Sequence, residues 1–423
     1  MNLDWHKLKA VVLESDDWGL CAWCPDEQAA RVLADTPVFR SEVGRIYGRS
    51  TLESAEDVRQ LSELLTEFRG GDGYPPVWQA NTVMAAPDYA RLQSPFPQAE
   101  DMPVVTVPEA PSRWQRLGLW EQVAAARERG VWWPELHGLT HLPETAWRAA
   151  LDRGAADARR AFEQQSPVCE AVQSSGEYDA AEPLDRRRRG LERALTIFRR
   201  TSGRSPGSFC PPDYRWDDRF EREAQALGVL TWQGRAERVG GVLPTTRRVM
   251  RRIQGATTRG ARYYLPARIA FEPRGSAAPA SRLGAAATRR AVHAAWRRGQ
   301  PAIVSTHRHN YAHLDSAWAE AGRSALRGLL HTLCDDGATF LTDAEVRALD
   351  LHGHSVRPVG ARGALVWFYG VSGEAIRFAL PQGAAGAAVH DGRERDVHGL
   401  SVDGGEVEAR LNVGEYLIEW RSA

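Results

Sequence analysis

Two carboxylates stand side by side where a short apolar run ends: residues 10–13 are Ala-Val-Val-Leu, and Glu14-Ser-Asp-Asp-Trp-Gly19 follows at once. Adjacent carboxylates repel each other. A cation on one of them resolves the conflict and leaves the other to take a proton. A turn or helix cap is the ordinary alternative for an Asp-Asp pair at a loop start. A second segment, His137-Gly-Leu-Thr-His141, follows an apolar run at 131–136. Histidines four apart meet on one helix face or across a tight loop, and imidazoles so placed suit zinc and similar ions. Glu135 shares a strand face with His137, so it either points toward the same site or caps the rim. A third segment, Phe209-Cys-Pro-Pro-Asp-Tyr-Arg-Trp216, has paired prolines that fix the backbone and aromatic residues beyond them. The fourth, Ser305-Thr-His-Arg-His-Asn-Tyr-Ala-His313, puts three histidines in one short loop after a strand-like run. His307 is nearest the strand end and is the candidate proton donor. His309 and His313 are expected to face solvent or substrate.

These segments need strands to carry them. Apolar runs at 10–13, 77–84, 131–136, 208–210, 229–232, 301–306 and 338–341 read as strands. Patterns at 51–69, 114–129, 143–165, 185–200, 220–227, 286–298 and 317–334 read as helices. The alternation predicts an α/β unit with a mainly parallel sheet, and polar residues recur just after the strands, where such sheets build their sites. A loop-rich segment is expected from 233 to about residue 273. After residue 351 short β-like runs separated by glycine-rich turns predict a small all-β unit. The expected division is 1–351 for the α/β domain and 352–423 for a β-sandwich-like accessory domain.

Composition narrows the classes. Lys+Arg and Asp+Glu both number 54, so no global field favours nucleic acid or an anionic membrane. The arginine run 186–189 reads first as a solvated helix face. Five cysteines are too few and too scattered for a disulfide framework, and Cys21 and Cys24 read as ordinary buried thiols. No apolar stretch is long enough to span a membrane, and no signal-peptide pattern follows Met1, so a cytoplasmic location is expected.

In this order the four segments resemble the polysaccharide deacetylases of the NodB-homology kind, carbohydrate esterase family four. The family's Thr-Phe-Asp-Asp-Gly is matched by Glu14-Ser15-Asp16-Asp17-Trp18, its His-x-x-x-His by His137 and His141, and its strand-end histidine by His307. Its Arg-x-Pro-aromatic corresponds loosely to Cys210-Pro211-Pro212-Asp213, its tryptophan to Trp232, and its closing segment to residues 338–346. The resemblance spans about residues 8–350. It implies a distorted (β/α) barrel and a hydrolase that removes an N- or O-linked acetyl group from a carbohydrate or glycan precursor, beside polysaccharide assembly. It further implies that Asp17, His137 and His141 hold a divalent metal, zinc first, with cobalt, nickel or manganese as alternatives. Asp16 would be the base and His307 the acid, and a backbone N–H near Asp213 would help hold the oxyanion. Trp18, Tyr214, Trp216 and Trp232 are available for sugar rings; Asn81, Glu135, Pro212, Asp213, Arg215, Arg308 and His309 complete the expected substrate-binding set.

Three departures stand out. Cys210 occupies the place of the arginine that orients the family's catalytic aspartate, with Arg215 as a candidate substitute. Trp18 replaces a glycine and Asp213 an aromatic residue. Two other readings follow from the same residues. Asp16 with Glu135 or Asp213 could serve as the paired carboxylates of a glycoside hydrolase, and a degenerate barrel could bind glycan without turnover.

Overall fold

Nine residues from Ala10 to Trp18 form strand β1, buried almost throughout. A strand covered on both faces reads as a continuous apolar run, and Ala10–Leu13 provide one. In this computed structural model, residues 3–92, 101–235, 238, 255–275, 283–359, 363–370, 373, 375–379, 384–391, 400–403 and 406–422 are described. Parallel neighbours flank β1 on both edges. On one, Val11–Asp16 pair with β7 (Ala302–His307), with Asp16 opposite His307. On the other, Ala10–Val12 pair with β8 (Thr339–Leu341), and Leu13–Trp18 pair with β2 (Trp78–Thr82).

The sheet continues from β2 to β3 (Trp132–Leu136), again parallel, with Asn81 opposite Glu135. Phe209 bridges β3 to β4 (Thr231–Trp232), which pairs with β5 (Arg262–Tyr264). On the far side, β7 pairs in parallel with β6 (Arg268–Ala270). The result is a curved, mainly parallel sheet. Among the described residues no strand pairing joins β5 to β6, so a closed barrel is not formed by hydrogen bonding there. All the strand ends that carry polar residues lie on one rim.

Helices cover the outer face. They include α1 (Ala55–Thr66), α2 (Leu119–Glu128), α3 (Leu184–Ser202), α4 (Asp218–Ala226), α5 (Ala285–Arg297), α6 (Ser316–Asp335) and α7 (Asp343–His352). Ser54 and Asp57 close α1 with a capping box, as Thr342 and Glu345 do for α7. The single helix expected over 143–165 is two, Glu144–Asp152 and Ala156–Glu163, broken at Gly154 with φ +71°. The 208–210 run makes only isolated bridges through Phe209. The arginine run lies on α3, where Arg187, Arg188 and Arg189 pair with Asp217, Glu223 and Asp185.

The largest correction is β6. Residues 233–273 were expected to be loop-rich, yet Arg268–Ala270 extend the sheet against Ile303–Ser305. Residues 236–237 and 239–254 of that segment lie outside the described residues.

Beyond Gly353, β9 (His354–Val359), β10 (Gly363–Phe368), β12 (Ala384–Asp391) and β15 (Gly414–Ser422) make one antiparallel sheet. A second contains β11 (Ala375–Ala379), β13 (Leu400–Asp403) and β14 (Glu406–Arg410). Val366 and Ile418 of the first share a core with Ile376 and Val407 of the second. The opposite face of β10 packs its Trp367 against Trp5, Val346 and Leu349 under the parallel sheet.

Candidate active site

Simple alternation along β1 would send Asp16 and Asp17 to opposite faces. The strand avoids this with a register shift against β2 between Ser15 and Trp18, and with a left-handed backbone at Asp17, φ +74°. A non-glycine residue in that region is strained, and such strain is typical of functional sites. Both carboxylates therefore serve one site. Asp17 Oδ1 lies 3.4 Å from His137 Nε2 and 3.5 Å from His141 Nε2. Ligands about 2.0–2.1 Å from a tetrahedral zinc stand roughly 3.3–3.4 Å from one another, so this spacing fits a shared cation.

The rest of the donor set agrees. His137 Nδ1 sits 2.8 Å from the backbone oxygen of Cys210. That oxygen only accepts, so Nδ1 carries the hydrogen and Nε2 is the ring atom turned to Asp17, protonated beside the carboxylates and able to take a cation once that proton leaves. The 137–141 loop is tight, with left-handed Gly138 and His141. Glu177 holds it from behind: its carboxylate accepts the backbone N–H groups of Leu139 at 2.9 Å, Thr140 at 3.3 Å and His141 at 2.8 Å. A Cβ at Gly138 would lie 2.6 Å from Glu177 Oε2, which reserves that position for glycine. A second group, Asp16, His137 and Cys210, also brings possible ligand atoms together. Its carboxylate is already committed elsewhere, which favours the Asp17 set.

That commitment is to Arg268. Its Nη1 and Nη2 donate to the two oxygens of Asp16 at 2.9 and 2.8 Å, and its Nε lies 2.5 Å from Glu14 Oε2. Nη1 also donates to the Tyr214 hydroxyl at 2.8 Å and contacts Cys210 Sγ at 3.4 Å. Arg268 thus stands at Asp16 beside the cysteine. Arg215 does not: its Nη1 pairs with Asp179 at 3.3 Å and donates to Ser174 O. Burial alone would raise the Asp16 pKa, but Arg268 and the nearby His137 outweigh it and hold the carboxyl well below the usual range. Asp17 is lowered in the same way, by His137 and His141 against burial.

Behind Asp16 runs a buried polar chain. Asn81 Nδ2 donates to Asp16 Oδ1 at 2.6 Å and to Gln233 Oε1 at 2.8 Å. Gln233 donates to Ser208 Oγ at 2.7 Å, and Ser208 donates to Asp343 at 2.7 Å. Burial pushes the carboxyls of Glu14 and Asp343 up. Asp16, by contrast, is pinned from the sheet interior by a fork and an amide.

Opposite, His307 Nε2 lies 3.8 Å from Asp16 Oδ2, and its Nδ1 is 2.6 Å from Glu272 Oε1. Asn310 Nδ2 donates to the other Glu272 oxygen at 2.7 Å. Burial would lower the His307 pKa, but Glu272 and the two aspartates raise it to about 9, so the ring is cationic at neutral pH. Glu272 follows β6 by two residues. Arg268 opens the unrecognised strand and Glu272 lies just past its end, so both partners missed in the sequence come from one short segment. The only available signal was the short Arg-Ile-Ala-Phe-Glu pattern at 268–272.

Several expected substrate contacts lie elsewhere. Trp18, Trp216 and Trp232 are core residues; Trp216 stacks on Trp232 at 5.6 Å, and Trp18 meets Trp132 edge-on. Glu135 is fully buried and accepts the N–H groups of Gly207 and Ser208 while pairing with Arg204, so it neither faces substrate nor serves as a catalytic carboxylate. Arg308 is buried on Glu53. His309 is buried against Tyr47, donates toward Gly275 O, and is pushed down to about 3 by desolvation first. Its expected solvent or substrate exposure is corrected by that burial, while His313 is half-buried and stacks on Trp318. Asn81 and Pro212 are buried, the former supporting Asp16. Asp213 is exposed, with Oδ2 4.0 Å from His141 Nδ1, and Tyr214 is half-buried beside Arg268. Trp23 and Tyr47, not foreseen, stack at 5.8 Å on the His307 side of the site and are half-buried. Cys21 and Cys24 are buried thiols pushed up to about 12, chiefly by desolvation.

No protein-family model matches this chain, and no curated protein matches it in sequence. Solved structures similar to it include a chain from Mycobacterium smegmatis assigned as a polysaccharide deacetylase, with 14% identity, 81% of this chain and 91% of that one covered, and a TM-score of 0.40. A CE4 family pseudoenzyme from Bacillus anthracis shares 10% identity over 80% of this chain and 65% of its own, with a TM-score of 0.33. The alpha-fucosidase of Thermotoga maritima shares 12% over 100% and 97%, with a TM-score of 0.34. At such identities and scores the likeness assigns no activity, and the functional reading rests on the site itself. Among the described residues no helix is long and apolar enough to cross a membrane.

Proposed function

We propose that this protein is a metal-dependent hydrolase that removes an acetyl group from a carbohydrate. The observation that carries the reading is one rim holding three convergent ligand atoms, from Asp17, His137 and His141, beside a separate, arginine-pinned carboxylate and a histidine backed by Glu272. A divalent cation held by those three residues would polarise an acyl carbonyl and acidify water. Asp16 stays ionised in this setting and takes the proton of the attacking water. Its low basicity is offset by its fixed aim, since Arg268 and Asn81 hold both oxygens in place. His307, charged and steadied by Glu272, gives its proton to the departing amine or alcohol. Tyr47 and Trp23 offer the aromatic surface for a sugar ring that the buried tryptophans cannot.

The deciding experiment measures metal content and acetate release from acetylated oligosaccharides together. The expected result is about one cation per chain and measurable acetate. Asp16→Asn should keep the cation and lose about 10²–10⁴-fold in turnover. Normal turnover by Asp16→Asn would remove Asp16 as the base. Reducing ends in place of acetate would support glycoside cleavage, and bound glycan with neither product would support a binding protein.

A pH prediction follows from His307. Its folded pKa lies above its ordinary value, so the imidazolium contributes stability that is complete below about 6.5 and disappears as pH rises through about 9. The acid form needed for turnover is lost over the same upper range. Glu272→Gln should move the alkaline limb of the rate profile down by about 1–3 pH units. An unmoved limb would show that His307 is not the titrating acid.

A further inference from the structure

Outside the catalytic rim, a cavity of about 280 Å³ lies between the sheet and helices α2 and α3. Its walls include Met84, Val107, Trp120, Val123, Trp132 and Phe198. The sheet separates it from the candidate site. Asn81 and Glu135 face Asp16 and Ser208, and their strand neighbours Thr82 and Pro134 point the other way and line the cavity. Glu53, a buried lining residue, is engaged by the Gly19 N–H at 3.0 Å and by Arg308 at 3.1 Å.

The open end is marked by the exposed lining residues, Ala124 and Arg200. Arg127 lines it too and is half-buried. Arg127 donates to Ser202 O at 2.7 Å and Arg200 to Thr106 Oγ1 at 2.9 Å. Among the described residues neither pairs with a carboxylate, and the neighbouring charge acting on Arg127 is a third guanidinium, Arg204. A partly desolvated cation facing an apolar chamber is unfavourable without an anion. A chamber near the ~300 Å³ lower end of small-molecule sites, largely apolar, with Glu53 already engaged and two arginines in its lining, matches a ligand of apolar body and anionic head.

We propose that this cavity binds one anionic single-chain amphiphile, its alkyl chain among the aromatic walls and its carboxylate or phosphate on Arg127 and Arg200. Calorimetric titration of the full chain with decanoate, decyl phosphate and decanol tests this. Saturable binding of one anion per chain is expected, with decanol about tenfold weaker or more. The tighter of the two anions identifies the source as a free fatty acid or a lipid phosphate. The double variant Arg127→Met/Arg200→Met should bring anion affinity down to that of decanol while leaving decanol unchanged. Ala124→Trp, at the exposed mouth, should block all three. Absence of saturable binding overturns the proposal. So does equal binding of decanol and the anions, or anion binding indifferent to the arginine pair.

Discussion

Arg268→Met is expected to unfold more easily than the native protein and to lose most of its turnover. The guanidinium is the only cation among the described residues in contact with both Glu14 and Asp16, and all three side chains are buried. Removing one partner of a buried ionic group costs about 3–5 kcal/mol, because the carboxylates left behind have no water to turn to. Part of that loss is relieved if Glu14, whose carboxyl burial already pushes up, or Asp16 takes up a proton. Its folded pKa is depressed while Arg268 is present, so the native pair contributes stability above the ordinary carboxylate pKa and loses it as pH falls through the folded value. In the variant the Asp16 pKa rises, and the acid limb of the rate profile should move toward neutrality. Arg268→Lys should rescue little. One ammonium cannot hold both Asp16 oxygens and Glu14 at once, as the planar fork does. Denaturant melts and pH–rate profiles check both halves. Native stability and an unmoved acid limb in Arg268→Met would remove it as the residue that positions Asp16.

Asp17→Ala should abolish cation retention and acetate release together, with little effect on folding. Its carboxylate supplies the atom common to both histidine contacts, so its loss leaves two imidazoles with no anionic ligand between them. The left-handed backbone at Asp17 is kept under strain only by its surroundings, so alanine there should cost at most about 1–2 kcal/mol. Metal analysis after gel filtration, run beside Asp16→Asn, separates ligand from base. Equal metal retention by both variants would mean that the cation sits elsewhere, with the Asp16, His137 and Cys210 group the next to examine.

These two variants also divide what the chain shows locally from what it shows only when folded. The convergence of Asp16, Asp17, His137, His141 and His307 was legible because their segments follow apolar runs, and strand ends of a parallel sheet share one rim. The register Asp16 opposite His307 makes that concrete. Trp18, Trp216 and Trp232 were misread because an aromatic residue near a polar loop has the same composition whether it faces a sugar or the core. Only packing distinguishes them, and they are buried.

The sequence by itself determined the α/β alternation and set Asp17, His137 and His141 forward as a candidate ligand set. It left open how Asp16 is held, because that depends on a partner 252 positions away. Arg268 opens a three-residue strand with no periodicity of its own, formed because Ile303–Ser305 offer it a ladder, and Glu272 lies two residues past that strand's end. Local propensity cannot report an interaction whose two halves are so far apart in the chain. The tertiary structure decided which arginine reaches Asp16, turned Asp17 onto the same rim, and put Glu272 behind His307.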